Sequence, residues 1–257
     1  MVTIDGTDIS GATIDGTEVQ EITMDGDIVF TAGFDMPDSA IHHYPMSEGS
    51  GSTFEDVIGG FDGDVNTSSW SEDDEWEDGY AIYSEDGDPS ARIPELGAKI
   101  LEILDSPMSI AFTFEVESSE NDFIMGNRTQ GGTRFEGMFG RRVPVDHFGF
   151  NIRDEAASNE TEAYYDESLS TGTKYRVVFN VDAPNPSNCE VWVNADEDTV
   201  ISEDDGPDDF EVDEDEWEFF GRDTGVDTPG YVDNMIVFDE LLSENEIQGD
   251  YNAQPWS

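Results

Sequence analysis

The feature that most constrains this chain is a series of short segments in which apolar and polar residues alternate. More than ten such segments, separated by turn residues, lie between residues 40 and 238, and the clearest are 108–117 and 174–182. A repeat of two residues is the side-chain period of a β-strand. Helical periodicity is confined to a short stretch at residues 95–104. The pattern predicts an all-β chain folded as a two-sheet antiparallel sandwich.

One late segment, Gly230–Phe238, is apolar on both faces and is named here the closing strand. Apolar residues on both faces predict a strand that is covered on both sides. The two predicted faces carry Val232, Asn234, Ile236 and Phe238 on one side and Tyr231, Asp233, Met235 and Val237 on the other. A helix should follow, because Ser243 and Glu246 have the spacing of a capping box. Leu242 and Ile247 are spaced as its hydrophobic staple.

The net charge restricts both habitat and partners. It is −52, from 62 acidic and 10 basic residues. Repulsion on that scale destabilises a compact chain at low ionic strength. At 1 M salt the screening length falls to about 3 Å, which relieves the repulsion. An acidic composition can also indicate a disordered chain, but the 11% of aromatic residues argues against disorder here. We expect a salt-adapted globular protein that does not bind nucleic acid.

The termini and the cysteine content indicate how the chain is made. The N-terminal residues contain no basic region followed by an apolar core, and no apolar run approaches transmembrane length. Cys189 is the single cysteine, so an intrachain disulfide is excluded, and we expect this side chain in the core. We expect a chain made in the cytoplasm, without membrane insertion.

The first 32 residues contain a repeat. Ile-Asp-Gly-Thr at residues 4–7 recurs at 14–17, and Met-Asp-Gly-Asp follows at 24–27. Each Asp-Gly pair predicts a tight turn between two short strands. Hairpins this small bury little apolar surface alone. Residues 1–32 are therefore predicted to be a docking or assembly segment and residues 33–257 the sandwich domain. The alternative is an ordinary N-terminal β-meander packed on its own domain.

Several short sequence motifs together resemble those of a known family. An apolar strand runs into Tyr-Pro-Met-Ser-Glu-Gly-Ser-Gly-Ser-Thr at 44–53, and an acidic glycine loop follows at 56–63. Val-Trp-Val-Asn occurs at 191–194, before the closing strand and its capped turn. In this order the motifs resemble those of laminin-G-like domains of the concanavalin A-like lectin/glucanase fold. The resemblance covers about residues 36–252. The resemblance implies a jelly-roll sandwich whose concave face often binds sugars.

The repeat and the acidic composition carry a second resemblance, to the starts of structural proteins of tailed viruses that infect halophilic archaea. It implies a virion surface protein, assembled in the host cytoplasm as a head turret, decoration, tail fibre or spike. Residues 1–32 would then contact sister subunits, in a trimer or pentamer, and other virion proteins. The sandwich would attach to a host cell-surface glycan or glycoprotein. A purely structural decoration that binds no ligand is the alternative.

The laminin-G-like resemblance also implies a structural calcium ion at the edge of the sandwich. Carried over by position, its ligands would be Asp56, the main chain of Gly60 and Asp233. Asp62 and Glu48 are further candidates. Carboxylate and carbonyl oxygens are the ligands that calcium prefers. The alternative is that Asp233 ends a turn and the other acids belong to the salt-adapted surface.

Four of the eight arginines lie within fifteen residues that contain one acid, Glu136. They are Arg128, Arg134, Arg141 and Arg142. Guanidinium groups bind carboxylates with two hydrogen bonds. This cluster could therefore bind anionic sugars or the acidic surface of another subunit. The alternative is local neutralisation of neighbouring acidic strands.

A polysaccharide hydrolase is the alternative from another functional class. Related glucanases present Glu-x-Asp-x-x-Glu on a strand, and here Glu211, Asp213 and Glu216 have that spacing. Two carboxylates across the sugar bond are what glycoside hydrolysis needs. The family has mostly apolar residues between its acids, whereas this chain has Glu214 and Asp215 among the intervening residues. We therefore expect no enzymatic activity.

Overall fold

The computed structural model describes residues 36–73, 76, 78–84, 91–117, 122–127, 134–139, 147–153, 159–204, 216–220 and 229–255, and paired strands between residues 3 and 31. The strands are β1 Thr3–Ile4, β2 Thr7–Asp8, β3 Thr13–Ile14, β4 Thr17–Glu18, β5 Glu21–Met24, β6 Asp27–Thr31, β7 Ala40–Tyr44, β8 Thr53–Phe54, β9 Gly63–Asp64, β10 Ser69–Glu72, β11 Tyr80–Ser84, β12 Ala91–Ile93, β13 Met108–Val116, β14 Asp122–Asn127, β15 Arg134–Phe139, β16 Phe148–Arg153, β17 Glu160–Tyr165, β18 Tyr175–Val181, β19 Glu190–Val193, β20 Asp196–Glu197, β21 Thr199–Asp204, β22 Trp217–Phe219 and β23 Gly230–Phe238. The helices are α1 Leu96–Ile103 and α2 Glu244–Asn252, with a single 3-10 turn at Pro186–Asn188.

Two antiparallel sheets form the sandwich. The closing-strand sheet has eight strands in the order β10-β11-β23-β13-β18-β19-β20, with β7 also paired to β23. The opposite sheet has nine strands in the order β21-β17-β16-β15-β14-β22-β12-β9-β8. The predicted all-β sandwich is therefore confirmed.

The N-terminal repeat forms hairpins, as its Asp-Gly pairs predict. The pairs β1–β2, β3–β4 and β5–β6 are three separate two-stranded sheets. In the part of the chain that the structure describes, none of these strands pairs with a strand of the sandwich. The division into a docking segment and a sandwich domain stays a prediction.

The main core lies between the two sheets and is rich in phenylalanine. Phe112 and Phe114 of β13 and Phe179 of β18 are fully buried there, as their alternation predicts. Phe148 of the opposite sheet packs against all three rings, with centroids 4.5–6.0 Å apart. Cys189 is buried at the edge of the same core, as expected.

A second, smaller cluster covers the outer face of the closing-strand sheet. It is made of Ala111, Val178, Ile236, Phe238, Leu242 and Ile247. Helix α2 contributes to this cluster, and its N-terminus has the predicted capping box between Ser243 and Glu246. Neither described helix, with eight and nine residues, is long enough to cross a bilayer.

The closing strand is buried on both faces, but the predicted assignment of its faces is wrong after Asp233. Val232 packs in the main core together with Met235 and Val237, whereas Ile236 packs on the outer face. The reason is a β-bulge. Ala111 of β13 lies opposite Ile236, and Thr113 lies opposite Asp233. A step of two residues in β13 therefore corresponds to a step of three residues in β23. The extra residue in β23 inverts the alternation that follows it.

The acidic run at residues 70–79 has the composition of a solvated loop, but it contributes a strand and a buried side chain. Ser69–Glu72 forms strand β10, and Trp76 is only 2% exposed. Its ring packs against Tyr231 of the closing strand. The sequence pattern is misleading here because a single large aromatic side chain can be buried from an otherwise polar segment.

Candidate functional site

The extra residue of the closing strand is accommodated at Asn234. Its φ is 43°, in the left-handed region that asparagine adopts more readily than most residues. Its side-chain oxygen accepts a hydrogen bond from His43 Nε2 at 2.9 Å. Bulges occur often beside functional sites, because they redirect side chains out of the regular strand.

A buried ion pair joins the bulge to helix α2. Arg176 of β18 donates from Nε and Nη2 to the two carboxylate oxygens of Asp250, at 2.6 and 2.8 Å. Its Nη1 donates to the main-chain oxygen of Asn234 at 2.5 Å. Arg176 and Asp250 are each 2% exposed. Two parallel hydrogen bonds of this kind fix the orientation of both groups.

A cavity of about 210 Å³ opens beside this network. It lies between β7, the closing strand and the C-terminal end of α2. The lining residues are Met36, His43, Asn234, Ile236, Asp250, Ala253 and Gln254. A cavity of this size has room for several water molecules. It therefore suits one small polar molecule or one unit of a longer chain.

His43 supplies a neutral polar group to the cavity. Burial lowers the pKa of its imidazole, and the nearby guanidinium of Arg176 acts in the same direction. The hydrogen bond to Asn234 opposes this shift without reversing it. The asparagine oxygen only accepts, so Nε2 carries the proton and Nδ1 is the acceptor in the neutral ring. His42, its neighbour, is directed to the other side of the strand, because successive side chains of a strand alternate between its faces.

His42 belongs to a different structure, which is organised by the carboxylate of Asp56. Asp56 Oδ2 accepts from His42 Nδ1 at 2.7 Å and from the N–H of Phe61 at 3.1 Å. Its other oxygen, Oδ1, accepts from three main-chain N–H groups, those of His43, Ile58 and Gly59, at 2.9–3.2 Å. Five donors on one carboxylate close the loop at residues 56–61.

These hydrogen bonds determine the charge state of Asp56. Burial alone would raise the pKa of its carboxyl. The hydrogen bonds from His42 and from the main chain outweigh burial and hold the pKa well below its usual range. The carboxylate is therefore ionised at all but strongly acidic pH.

Three of the acids predicted to bind calcium accept hydrogen bonds from main-chain N–H groups. Both oxygens of Asp56 face N–H donors, whose positive ends would repel a cation. Asp62 and Glu48 likewise accept main-chain N–H groups, from Asp56 at 3.1 Å and from Glu55 at 2.7 Å. In the described part of the chain, no group of three or more His, Cys, Asp or Glu side chains could hold a metal ion.

The other two predicted ligands lie in different surroundings. Asp233 is fully buried opposite Thr113 in the closing-strand sheet. Gly60 lies within the loop that Asp56 closes, with a φ of 80°. A calcium ion bound jointly by Asp56, Gly60 and Asp233 stays a prediction, and the hydrogen bonding of Asp56 argues against it.

Added calcium should therefore stabilise the protein no more than magnesium does. Both cations screen the acidic surface, and neither finds a free carboxylate at Asp56. The measurement is the thermal midpoint in molar salt after chelation, with either cation added back at equal ionic strength. A calcium-specific rise at submillimolar concentration, removed by Asp233→Asn, would contradict this and restore the predicted site.

The structure describes one member of the predicted arginine cluster in part. Arg128, Arg141 and Arg142 lie outside the described residues. Arg134 is in β15, directly opposite Arg153 of β16. Arg153 in turn donates from Nη2 to Glu160 at 2.8 Å. Binding of anionic sugars or of a second subunit by the cluster stays a prediction.

The hydrolase alternative depends on an acidic run of which the structure describes only one end. Glu211 and Asp213 lie outside the described residues. Glu216 Oε1 accepts from Arg92 Nη1 at 2.9 Å, in a half-exposed ion pair. The spacing of the acids alone gave no indication of this partner.

Sequence reasoning missed Arg176, Asp250 and the polar role of Asn234. Arg176 stands at one of the intervening positions of the alternating strand β18, so the alternation alone predicts an exposed side chain. An arginine that is buried in a strand needs a buried acidic partner. The sequence does not identify that partner among 62 acids. The position of Asn234 depends on the register of two strands that are distant in sequence.

Comparisons with known proteins describe the fold. No known protein family and no curated protein sequence matches the chain. Among solved structures it is similar to the Trypanosoma rangeli sialidase in complex with sialic acid, with a TM-score of 0.60 and 13% identity over 92% of this chain. It is also similar to the receptor-binding domain of botulinum neurotoxin C/D mosaic serotype, with a TM-score of 0.62 and 15% identity over 84% of this chain.

The matches cover only part of those proteins. The chain spans 36% of the sialidase and 52% of the neurotoxin domain. At such low identity the similarity is one of fold alone. The chain is thus an all-β sandwich of the concanavalin A-like lectin/glucanase fold.

Proposed function

We propose that this chain is a glycan-binding module, and that the cavity beside the bulge receives one terminal sugar residue. The observation that carries the proposal is the mixed lining of the cavity. His43, Asn234 and Gln254 present polar groups, while Met36 and Ile236 are apolar. A sugar ring combines hydroxyl groups with apolar C–H faces, and a small cavity with a few fixed polar groups suits such a ligand.

The cavity is held ready for a ligand by its surroundings. Asp250 is fixed by two hydrogen bonds from Arg176, and Gln254 Nε2 donates to the main-chain oxygen of Asp250 at 3.1 Å. Polar groups that are already positioned lose little conformational entropy on binding. The similarity to a toxin receptor-binding domain and to a sialidase in complex with sialic acid supports a carbohydrate ligand.

The setting we propose is the surface of a virion in a very salty medium. It rests on the net charge of −52 and on the N-terminal repeat. In this setting the three N-terminal hairpins contact sister subunits, in a trimer or pentamer, and other virion proteins, while the sandwich faces a host cell-surface glycan. Hairpins that bury little surface alone gain stability from such contacts.

The full chain should bind glycans saturably in molar salt, on an array of immobilised neutral and sialylated glycans. Ala253→Trp places a large side chain at the mouth of the cavity and should weaken binding at least tenfold. The matched control is Gln248→Trp, at an exposed position of helix α2 that does not line the cavity. It should bind like the unchanged protein.

Two results would contradict the proposal. If Ala253→Trp binds as well as Gln248→Trp, the cavity is not the binding site. If the unchanged chain binds no glycan on the array and no intact envelope of halophilic archaea, the module is not a glycan-binding one. Equal thermal midpoints of the two variants exclude misfolding as the cause of any loss.

A further inference from the structure

A second surface on the same side of the closing-strand sheet exposes aromatic rings. Tyr231 is the one residue of the closing strand that is not buried. It lies opposite Tyr83 of β11, and the two ring centroids are 4.7 Å apart with planes inclined by 37°. Tyr83 is also only partly buried. These two residues are named here the tyrosine platform.

A buried aromatic ring packs against one member of the platform. Trp76 packs 5.6 Å from Tyr231, centroid to centroid. Lys174 Nζ lies 4.4 Å from the centroid of the Trp76 ring and 3.2 Å from a carboxylate oxygen of Asp73. A cation over an aromatic face adds attraction to the packing. These contacts hold the ring of Tyr231 in place.

Glu117 fixes the outer ends of both tyrosines. Its Oε2 accepts from the hydroxyl of Tyr83 at 3.1 Å and its Oε1 from the hydroxyl of Tyr231 at 3.3 Å. Burial and the charge of Glu117 raise the pKa of Tyr231 to about 12, so its hydroxyl stays protonated at neutral pH. Glu117 itself is exposed, and each carboxylate oxygen has a further lone pair for a donor.

We infer that the tyrosine platform is a second carbohydrate subsite, on which a neutral sugar ring stacks while Glu117 accepts hydrogen bonds from its hydroxyls. The inference rests on the proposed glycan-binding function and extends it. Partly exposed aromatic rings with a polar group at one edge match the two kinds of surface of a sugar. The ring should be neutral, because Glu115 and Glu117 lie at the platform and repel an anionic sugar.

The platform and the cavity lie within reach of one short oligosaccharide. Tyr231 and the bulge residue Asn234 are three positions apart on the closing strand, and both sites are on the outer side of the sheet. At about 3.3 Å per residue, this separation is about 10 Å. A glycan with its terminal residue in the cavity could therefore place a later ring on the platform.

Calorimetric titration of the full chain in molar salt tests this inference. The probes are glucose, mannose and N-acetylglucosamine, the linear tetrasaccharide of each, and a sialylated tetrasaccharide. Tyr83→Ala should lower the affinity for the preferred neutral tetrasaccharide about tenfold, toward that of its monosaccharide. Tyr83→Phe keeps the stacking ring and should lose no more than about threefold. The control is Tyr164→Ala, a half-buried tyrosine on the outer face of the opposite sheet.

Each other outcome has a distinct meaning. If Tyr83→Ala binds the tetrasaccharide as tightly as the unchanged chain does, the platform is not a subsite, while the proposal for the cavity is unaffected. Binding that Tyr83→Ala removes but Ala253→Trp does not supports the platform and overturns the cavity. A preference for the sialylated probe overturns the neutral class. No binding of any probe by the unchanged chain overturns both sites. Should Tyr83→Ala fail to fold, Glu117→Gln, at an exposed position, replaces it with an expected loss of about threefold or more.

Discussion

Replacing Arg176 by methionine should lower the free energy of unfolding by about 3–5 kcal/mol, which is the cost of leaving one charge of a buried ion pair without its partner. The carboxylate of Asp250 would remain 2% exposed beneath the end of helix α2. The measurement is chemical unfolding of the full chain in molar potassium chloride, followed by circular dichroism. The loss should persist across salt concentrations, because a buried pair is screened little.

A matched control comes from a half-exposed ion pair that also joins an arginine to a carboxylate. Arg92 donates to Glu216 with its side chain 38% exposed, so Arg92→Met should cost about 1 kcal/mol or less. The double variant Arg176→Met, Asp250→Leu should recover most of the lost stability, since an apolar pair can replace a buried ion pair. Equal losses for Arg176→Met and Arg92→Met would show that the buried pair does not hold the helix.

Replacing Asp56 by asparagine should cost at least about 3 kcal/mol, because each donor left without an acceptor costs about 1–3 kcal/mol. The amide keeps one acceptor oxygen and turns an NH₂ group toward N–H donors of the loop at residues 56–61. Unfolding in molar salt at pH 7 measures this loss. The control is Asp62→Asn, because Asp62 accepts one described main-chain hydrogen bond, and about 1 kcal/mol is expected there.

The unchanged protein should have a higher free energy of unfolding than Asp56→Asn, and this difference should decrease at acidic pH. The pKa of Asp56 is lower in the folded than in the unfolded chain. Its stabilisation is therefore complete above the unfolded pKa of about 3.9 and is lost as the pH falls toward the folded pKa. The difference in free energy should shrink by up to about 1.4 kcal/mol per pH unit below pH 4. A difference that stays constant down to pH 2 would contradict the role of Asp56.

The sequence predicts the strands and the capped helix well, because both depend on local pattern. The alternation at residues 108–117 and 174–182 appears in the structure as β13 and β18, and the Ser243–Glu246 capping box is present. The bulge at Asn234 is not predictable in this way. It arises from the register between β13 and β23, whose pairing residues are more than 100 positions apart.

For the candidate site, too, the sequence identifies single residues but not the partners that the fold brings to them. Asp56 was singled out from the sequence, but as a metal ligand, because an acid in a glycine loop has the same pattern in both roles. Its actual partners include His42, fourteen residues away, and a set of N–H groups whose directions only the folded loop defines. The tyrosine platform joins β11 to β23, so no local pattern reveals it.

The position of the closing strand in its sheet also has a consequence for biosynthesis. β23 fills the space between β11 and β13, which end at Ser84 and Val116, 146 and 114 residues before β23 begins at Gly230. At about 5–20 residues per second, each of these two strands waits roughly 6 to 30 seconds with one edge unpaired. Such edges invite association between nascent chains. The high density of carboxylates would keep neighbouring nascent chains apart during this interval.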